Sequence, residues 1–217
     1  MISYKHRYIF THIPKAGGHS LKNALRDIEF PNNPKAPLQW LPLHFTLAET
    51  KNVFSDSFFN ECFRFAVSRN PYDRLVSAYH WHQLISSAQR NDPNSFLNKE
   101  YPQHPHLPPL PLFLRRFHTF DPFIFLHFQH QRTFTHLGNE NLCTHVYRFE
   151  DGLDSIITDV TTRLQHRSCP LRTTCGYHAH KADYEKKPIT ERLDVESISI
   201  ISEIYREDFE AFGYPIL

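Results

Sequence analysis

Three short apolar runs, Tyr8–His12, Cys62–Ser68 and Thr144–Phe149, are rich in β-branched and aromatic residues and show little polar alternation. That is the pattern of strands covered on both faces. A helical pattern follows each. Behind the first, Leu21, Ala24, Leu25 and Ile28 recur at helical spacing and predict a helix over Ser20–Ile28. Behind the second, Asn70 suits a cap, Pro71 the first helical position and Asp73 the positive end of the helix dipole. Near the C-terminus, Val195, Ile198, Ile201, Tyr205 and Phe209 form one stripe, predicting a single helix from a cap at Asp194 to Gly213. The β-then-α order argues for an α/β fold with a parallel sheet, right-handed crossovers and ligands at the strands' C-terminal ends. Pro31–Pro42 and Pro93–Pro111 interrupt the pattern and read as loops. Trp40, His104 and His106 on them are candidates to line a binding cleft, or they are chance aromatics in solvated linkers.

Both early strand-to-helix turns are suited to hold an anion. In Ile13-Pro14-Lys15-Ala16-Gly17-Gly18-His19-Ser20-Leu21, helix-initiating N–H groups, paired glycines and Lys15 converge on one small volume. A lysine before two glycines is by itself a common loop; the strand before it and the amphipathic segment after it make it a phosphate cradle. In Arg69-Asn70-Pro71-Tyr72-Asp73-Arg74-Leu75-Val76-Ser77-Ala78-Tyr79, Arg69 ends a strand and Ser77 lies two turns into the next helix. An arginine fork and a hydroxyl together match phosphate oxygens. Read singly, Arg69 is a surface ion pair and Ser77 a packing serine. A nucleoside-triphosphate loop would place lysine late and follow it with serine or threonine for magnesium. Here Lys15 precedes the glycines and no such pair exists.

Pro14-Lys15-x-Gly17-Gly18-x-Ser20-Leu21 and Arg69-x-Pro71-x-x-Arg74-Leu75-Val76-Ser77-x-Tyr79 resemble the two donor motifs of the carbohydrate-type (family 2) sulfotransferases, which use 3′-phosphoadenosine 5′-phosphosulfate. The resemblance implies a three-layer, P-loop nucleotide-hydrolase-like fold with a central parallel sheet, and one sulfotransferase domain over residues 1–217. It implies that Lys15, Ala16, Gly17, Gly18, His19 and Ser20 bind the 5′-phosphosulfate, and Arg69 and Ser77 the 3′-phosphate. His19 stands where the family usually has threonine or serine. Weaker likeness extends to His127–Gln131, Tyr147–Asp151 and Ile204–Tyr214, and His180-Lys181-Ala182-Asp183 stands where relatives often have an asparagine-lysine pair, which implies Lys181 as a donor or substrate contact.

Sulfuryl transfer needs a base for the acceptor hydroxyl and positive charge at the departing phosphate. A histidine, with its ordinary pKa of about 6.5, suits the first role. Among sixteen histidines, His44 is the candidate because it lies between the two motifs, where relatives place a catalytic histidine; His12 is the runner-up. Lys15 would stabilise the leaving phosphate, or simply hold it. His80 and His82, two apart on a helix, face different sides, which argues against a shared metal.

Composition narrows the classes. The 217 residues suit one domain. Lys and Arg number 24 against 23 Asp and Glu, so no global basic field points to nucleic acid or an acidic membrane. There is no run of about 18 apolar residues, and the first strand follows Met1 closely, which leads us to expect a cytoplasmic protein, of bacterial type or an excised catalytic domain. Cys62, Cys143, Cys169 and Cys175 form no C-x-x-C pair, so no cysteine zinc site is expected. Cys62 reads as core; Cys169 and Cys175 could bridge, but thiols are preferred in that compartment. The expected protein is therefore a metal-independent enzyme that sulfonates an acceptor hydroxyl, suggested by the family to be a sugar's. Its alternatives are a P-loop ATP-dependent kinase and a non-catalytic histidine-rich metal-binding protein built on His104-x-His106, His127-x-x-His130 and His178-x-His180. The acceptor and the oligomeric state are not encoded in any motif.

Overall fold

The structure, a computed structural model, describes residues 1–29, 44–91, 107–117, 126–165 and 187–217. Trp40, His104, His106, Cys169, Cys175, His178, His180 and Lys181 lie outside the described residues, as does Pro31–Pro42 and most of Pro93–Pro111. The chain divides into two compact units, one of Met1–Asn70 with His130–Asp183, the other of Pro71–Gln129 with Tyr184–Leu217.

The first unit is built on a four-stranded sheet in the order β1 (Ile2–Ser3), β2 (Tyr8–Thr11), β3 (Phe63–Ser68), β6 (His145–Arg148). The three anticipated strands β2, β3 and β6 run parallel, within a residue or two of their expected bounds. The sheet is not wholly parallel, because β1 pairs antiparallel at the edge beside β2. Two residues are too short a run to show periodicity, which is why the sequence did not announce β1. Pairing alternates the side chains of β2 and β3 between faces. Tyr8, Phe10, Phe63, Phe65 and Val67 pack with Leu21, Ala24, Leu25 and Ile28 of α1 (Gly18–Glu29) and Ile156, Ile157, Val160 and Leu164 of α7 (Leu153–Gln165). Phe10, Phe65 and Phe63 stack in succession, with ring centroids 5.2 and 4.9 Å apart. Truncating a fully buried ring such as Phe65 costs about 3–5 kcal/mol.

On the opposite face, Ile9 and Cys62 meet Leu47 of α2 (Leu47–Val53) and Phe58 and Phe59 of α3 (Asp56–Glu61). Thr46 caps α2 in a reciprocal capping box with Glu49, and Ser55 caps α3 through the Phe58 N–H. Helices thus cover both faces of this sheet. The unit also holds the short helix α6 (Gln131–Thr135) and a hairpin of β4 (His136–Leu137) and β5 (Glu140–Asn141).

The second unit is helical: α4 (Pro71–Asn91), α5 (Leu110–Arg115), α8 (Ile189–Arg192), α9 (Val195–Ile204) and α10 (Arg206–Phe212). Pro71 opens α4 as expected, while Asp73 accepts from Arg192 Nη2 at 2.5 Å. Arg74 is fully buried; its guanidinium donates to the carbonyls of His127 (2.9 Å) and Gln129 (2.6 Å) and lies 3.8 Å from Asp208. Asp194 caps α9 through the Ser197 N–H, and Gly213 ends α10 in the left-handed conformation. The expected single terminal helix is two, broken at Tyr205, whose buried hydroxyl donates to the Phe128 carbonyl. Ile201, Tyr205 and Phe209 of the stripe are core, but Val195, in the first turn, is 84% exposed.

Candidate functional site

The C-terminal ends of β2, β3 and β6 lie at one edge of the sheet, where parallel topology presents ligands to loops. The turn after β2 leaves the extended conformation at Lys15, whose φ is +65°, and again at Gly17, φ +77°. A lysine in the left-handed region is uncommon and costs about 1–2 kcal/mol. The bond from Leu21 N–H to the Gly17 carbonyl (3.3 Å) closes the first turn of α1, so the N–H groups of Gly18, His19 and Ser20 have no intrahelical acceptor.

The two glycines are required by close packing. A Cβ on Gly17 would fall 2.7 Å from Leu153 Cδ2, and one on Gly18 only 1.9 Å from His12 Cδ2. The imidazole of His12 therefore lies over the start of α1. Ala16 and Ser20 are buried, and His19 is exposed.

Arg69 follows β3 directly and is 5% exposed. Its Nη1 donates to the Lys15 carbonyl (3.1 Å), and its guanidinium lies 4.6 Å from the Phe149 ring centroid. The turn that carries Lys15 and the strand-end arginine, far apart in sequence, are thus brought together. The neighbouring Asn70 N–H donates to Glu150 Oε1 at 2.8 Å. Ser77 belongs to the second unit, buried on α4.

His44 joins the first unit's cluster. Its Nδ1–H donates to the His12 carbonyl (3.0 Å), and the two rings lie 4.7 Å apart. Because a carbonyl can only accept, this bond fixes the tautomer and leaves the lone pair on Nε2.

A family model described as the sulfotransferase family matches residues 1–215 of the 217. The chain belongs to the sulfotransferase family. No curated protein and no solved structure matched it.

Electrostatics separate the two histidines of this sulfotransferase. His12, although part of the residue reaches the surface, has a fully buried Nδ1 with no hydrogen-bond partner. Burial, and then the neighbouring His44 and His19, hold its imidazole well below the usual histidine range. His44 is only partly buried; loss of solvation lowers it, its bond to the His12 carbonyl opposes that, and the charge of Lys22 lowers it further. Both are held below the ordinary histidine value, and the bond to the His12 carbonyl gives His44 a lone pair assigned to Nε2. His19 is also lowered, by lost solvation and by Lys22, Lys15 and Arg26, which marks the start of α1 as cationic.

Elsewhere, His80 is exposed and His82 buried, on different sides of α4 as their spacing requires. His82 instead meets His127, with Nε2 to Nδ1 at 3.2 Å. Among the described residues no three His, Cys, Asp or Glu are grouped to hold a metal. No helix among them is long and apolar enough to cross a membrane. Cys62 is core, as read from sequence, and burial pushes the Cys143 thiol up to about 12. Sequence reasoning missed Gln131, Phe149 and Glu150 as the groups that hold the Arg69–Asn70 turn. Each acts through a partner distant in the chain, so no local pattern could announce it.

Proposed function

We propose that this sulfotransferase moves a sulfonate from 3′-phosphoadenosine 5′-phosphosulfate to an acceptor hydroxyl by in-line transfer, with His44 as base. Lys15 and the open N–H groups at the start of α1 hold the 5′-phosphosulfate, with Ala16, Gly17, Gly18, His19 and Ser20 shaping that turn. Arg69 and Ser77 are the proposed ligands of the 3′-phosphate. His44 Nε2 takes the acceptor proton as the acceptor oxygen bonds to sulfur. Lys15 stabilises the bridging oxygen that keeps the electron pair when the sulfur–oxygen bond breaks, releasing 3′-phosphoadenosine 5′-phosphate.

What carries this reading is the tautomer of His44: donation from Nδ1 to the His12 carbonyl presents a neutral Nε2, on a ring that packs against the histidine covering Gly18. The cationic start of α1 fits an anionic donor. The covering of both sheet faces accords with the three-layer, P-loop-like arrangement that the motifs suggest. Because the family match runs through both units, we take residues 1–217 as one sulfotransferase domain. A carbohydrate acceptor is proposed on the likeness of the two motifs alone, and independence from metal on that likeness together with a first turn that lacks the lysine-serine or lysine-threonine pair of a magnesium-binding loop.

The test is transfer of labelled sulfonate to a panel of glycans, lipids and phenols, with and without a chelator. Transfer that survives the chelator and is lost in His44→Ala, with donor binding retained, supports the reading. A strict magnesium requirement, or ATP in place of the sulfonated donor, contradicts it.

A further inference from the structure

The last registered pair of β3 and β6 is Ser68 with Arg148. One residue on, Arg69 has passed beyond the ladder, yet its backbone is buried and both of its polar groups need partners. One side chain supplies both. Arg69 N–H donates to Gln131 Oε1 (2.9 Å), and Gln131 Nε2 donates to the Arg69 carbonyl (2.8 Å). Gln131 is fully buried at the start of α6 and so stands in for one more residue of an adjacent strand. A carboxamide is suited to this, being a donor and an acceptor in one plane. The backbone so fixed carries a guanidinium that lies over Phe149 and donates to the carbonyl of Lys15, the residue whose left-handed conformation shapes the first turn.

We propose that Gln131 is a positioning residue for donor recognition: by clamping the Arg69 backbone it aims the guanidinium at the 3′-phosphate. This rests on the function proposed above. It adds a requirement that function does not contain, namely that selection for the 3′-phosphate depends on a residue that touches no part of the donor.

The readout is a ratio. Affinities of the purified full-length chain for 3′-phosphoadenosine 5′-phosphate and for adenosine 5′-phosphate are measured by calorimetry in the wild type and in Gln131→Met and Gln131→Glu, with thermal melting of each. In the wild type the 3′-phosphate improves affinity by about 100-fold, as expected for charge-assisted hydrogen bonds from a buried arginine. Gln131→Met keeps bulk but neither bond, and lowers that ratio by about tenfold or more, with adenosine 5′-phosphate bound nearly as before. Gln131→Glu keeps an acceptor for the Arg69 N–H, places a second acceptor against its carbonyl, and so lowers the ratio at pH 8. The Gln131→Glu ratio recovers toward wild type at lower pH, where a protonated carboxyl is again donor and acceptor. A merely destabilised protein would not regain selectivity on acidification. A folded variant that keeps the wild-type ratio overturns the inference. A wild type that shows no preference for the 3′-phosphate overturns the proposed function instead.

Discussion

The two ends of β3 each carry an arginine lying over a phenylalanine, and they do different work. Arg64, near the N-terminal end, lies 4.6 Å from the Phe59 ring and donates to the carbonyls of Leu142 (2.7 Å) and Phe59 (2.6 Å), tying α3 to the loop leading into β6. Arg69, just past the C-terminal end, lies 4.6 Å from the Phe149 ring and donates to a carbonyl of the turn that carries Lys15. Residue type, strand and ring partner do not distinguish them. Strand direction does: in a parallel sheet the C-terminal edge is where turns open onto helix N-termini, so an arginine there meets N–H groups and cationic side chains suited to an anion. At the other edge the same side chain satisfies carbonyls of α3 and of the loop before β6. One arginine is therefore read as a staple and the other as a ligand.

Substitutions at the two edges should separate stability from chemistry. The largest effect is expected at the C-terminal edge, where His44→Ala lowers the transfer rate by about 10³-fold while 3′-phosphoadenosine 5′-phosphate binding, followed by calorimetry, changes little. Arg69→Ala should weaken that binding by about 100-fold. At the opposite edge, Arg64→Met leaves buried carbonyls without their donor and should lower unfolding free energy by about 2 kcal/mol in urea titrations, with donor affinity of the folded protein unchanged. If Arg64→Met weakened donor binding as much as Arg69→Ala, the contrast between the edges would collapse. Lys15→Gly should split the two quantities within one residue: relief of the left-handed backbone raises stability by about 1 kcal/mol, and transfer falls because the charge is gone.

The smallest expected effect is on pH dependence. A base held below its ordinary value stays unprotonated to lower pH, so the acid limb of kcat/KM should lie below 6.5. Lys22→Met removes a charge that lowers His44 and should move the limb upward. The lowered values of His12 and His44 also mean that the unfolded chain binds protons more readily. Stability is then fully present above 6.5 and declines as pH falls below it toward the folded-state values.

What was legible in the sequence follows from the same physics. The strands β2, β3 and β6 showed as dense apolar runs because both sheet faces are covered, and Lys15 and Arg69 showed because strand, turn and helix signals bracket them. The break at Tyr205 did not show: no glycine or proline marks it, and the buried hydroxyl that anchors it bonds to Phe128, 77 positions away. Val195 sits on the predicted stripe yet faces solvent, since periodicity gives a face but not how far the core extends along it. Gln131 fell within a stretch of family likeness, but its role did not show for a similar reason, its partner being 62 positions distant. The packing demand at Gly18, where a Cβ would meet the His12 ring, also did not show, since it too is set by a contact across the turn.

The most direct measurement is calorimetric binding, in excess chelator, of 3′-phosphoadenosine 5′-phosphate and adenosine 5′-phosphate to the wild type and to Arg69→Ala. The account predicts metal-free binding, a strong preference of the wild type for the 3′-phosphorylated nucleotide, and loss of that preference in the variant. Equal affinity of the wild type for both nucleotides, or a preference that Arg69→Ala retains, would contradict it.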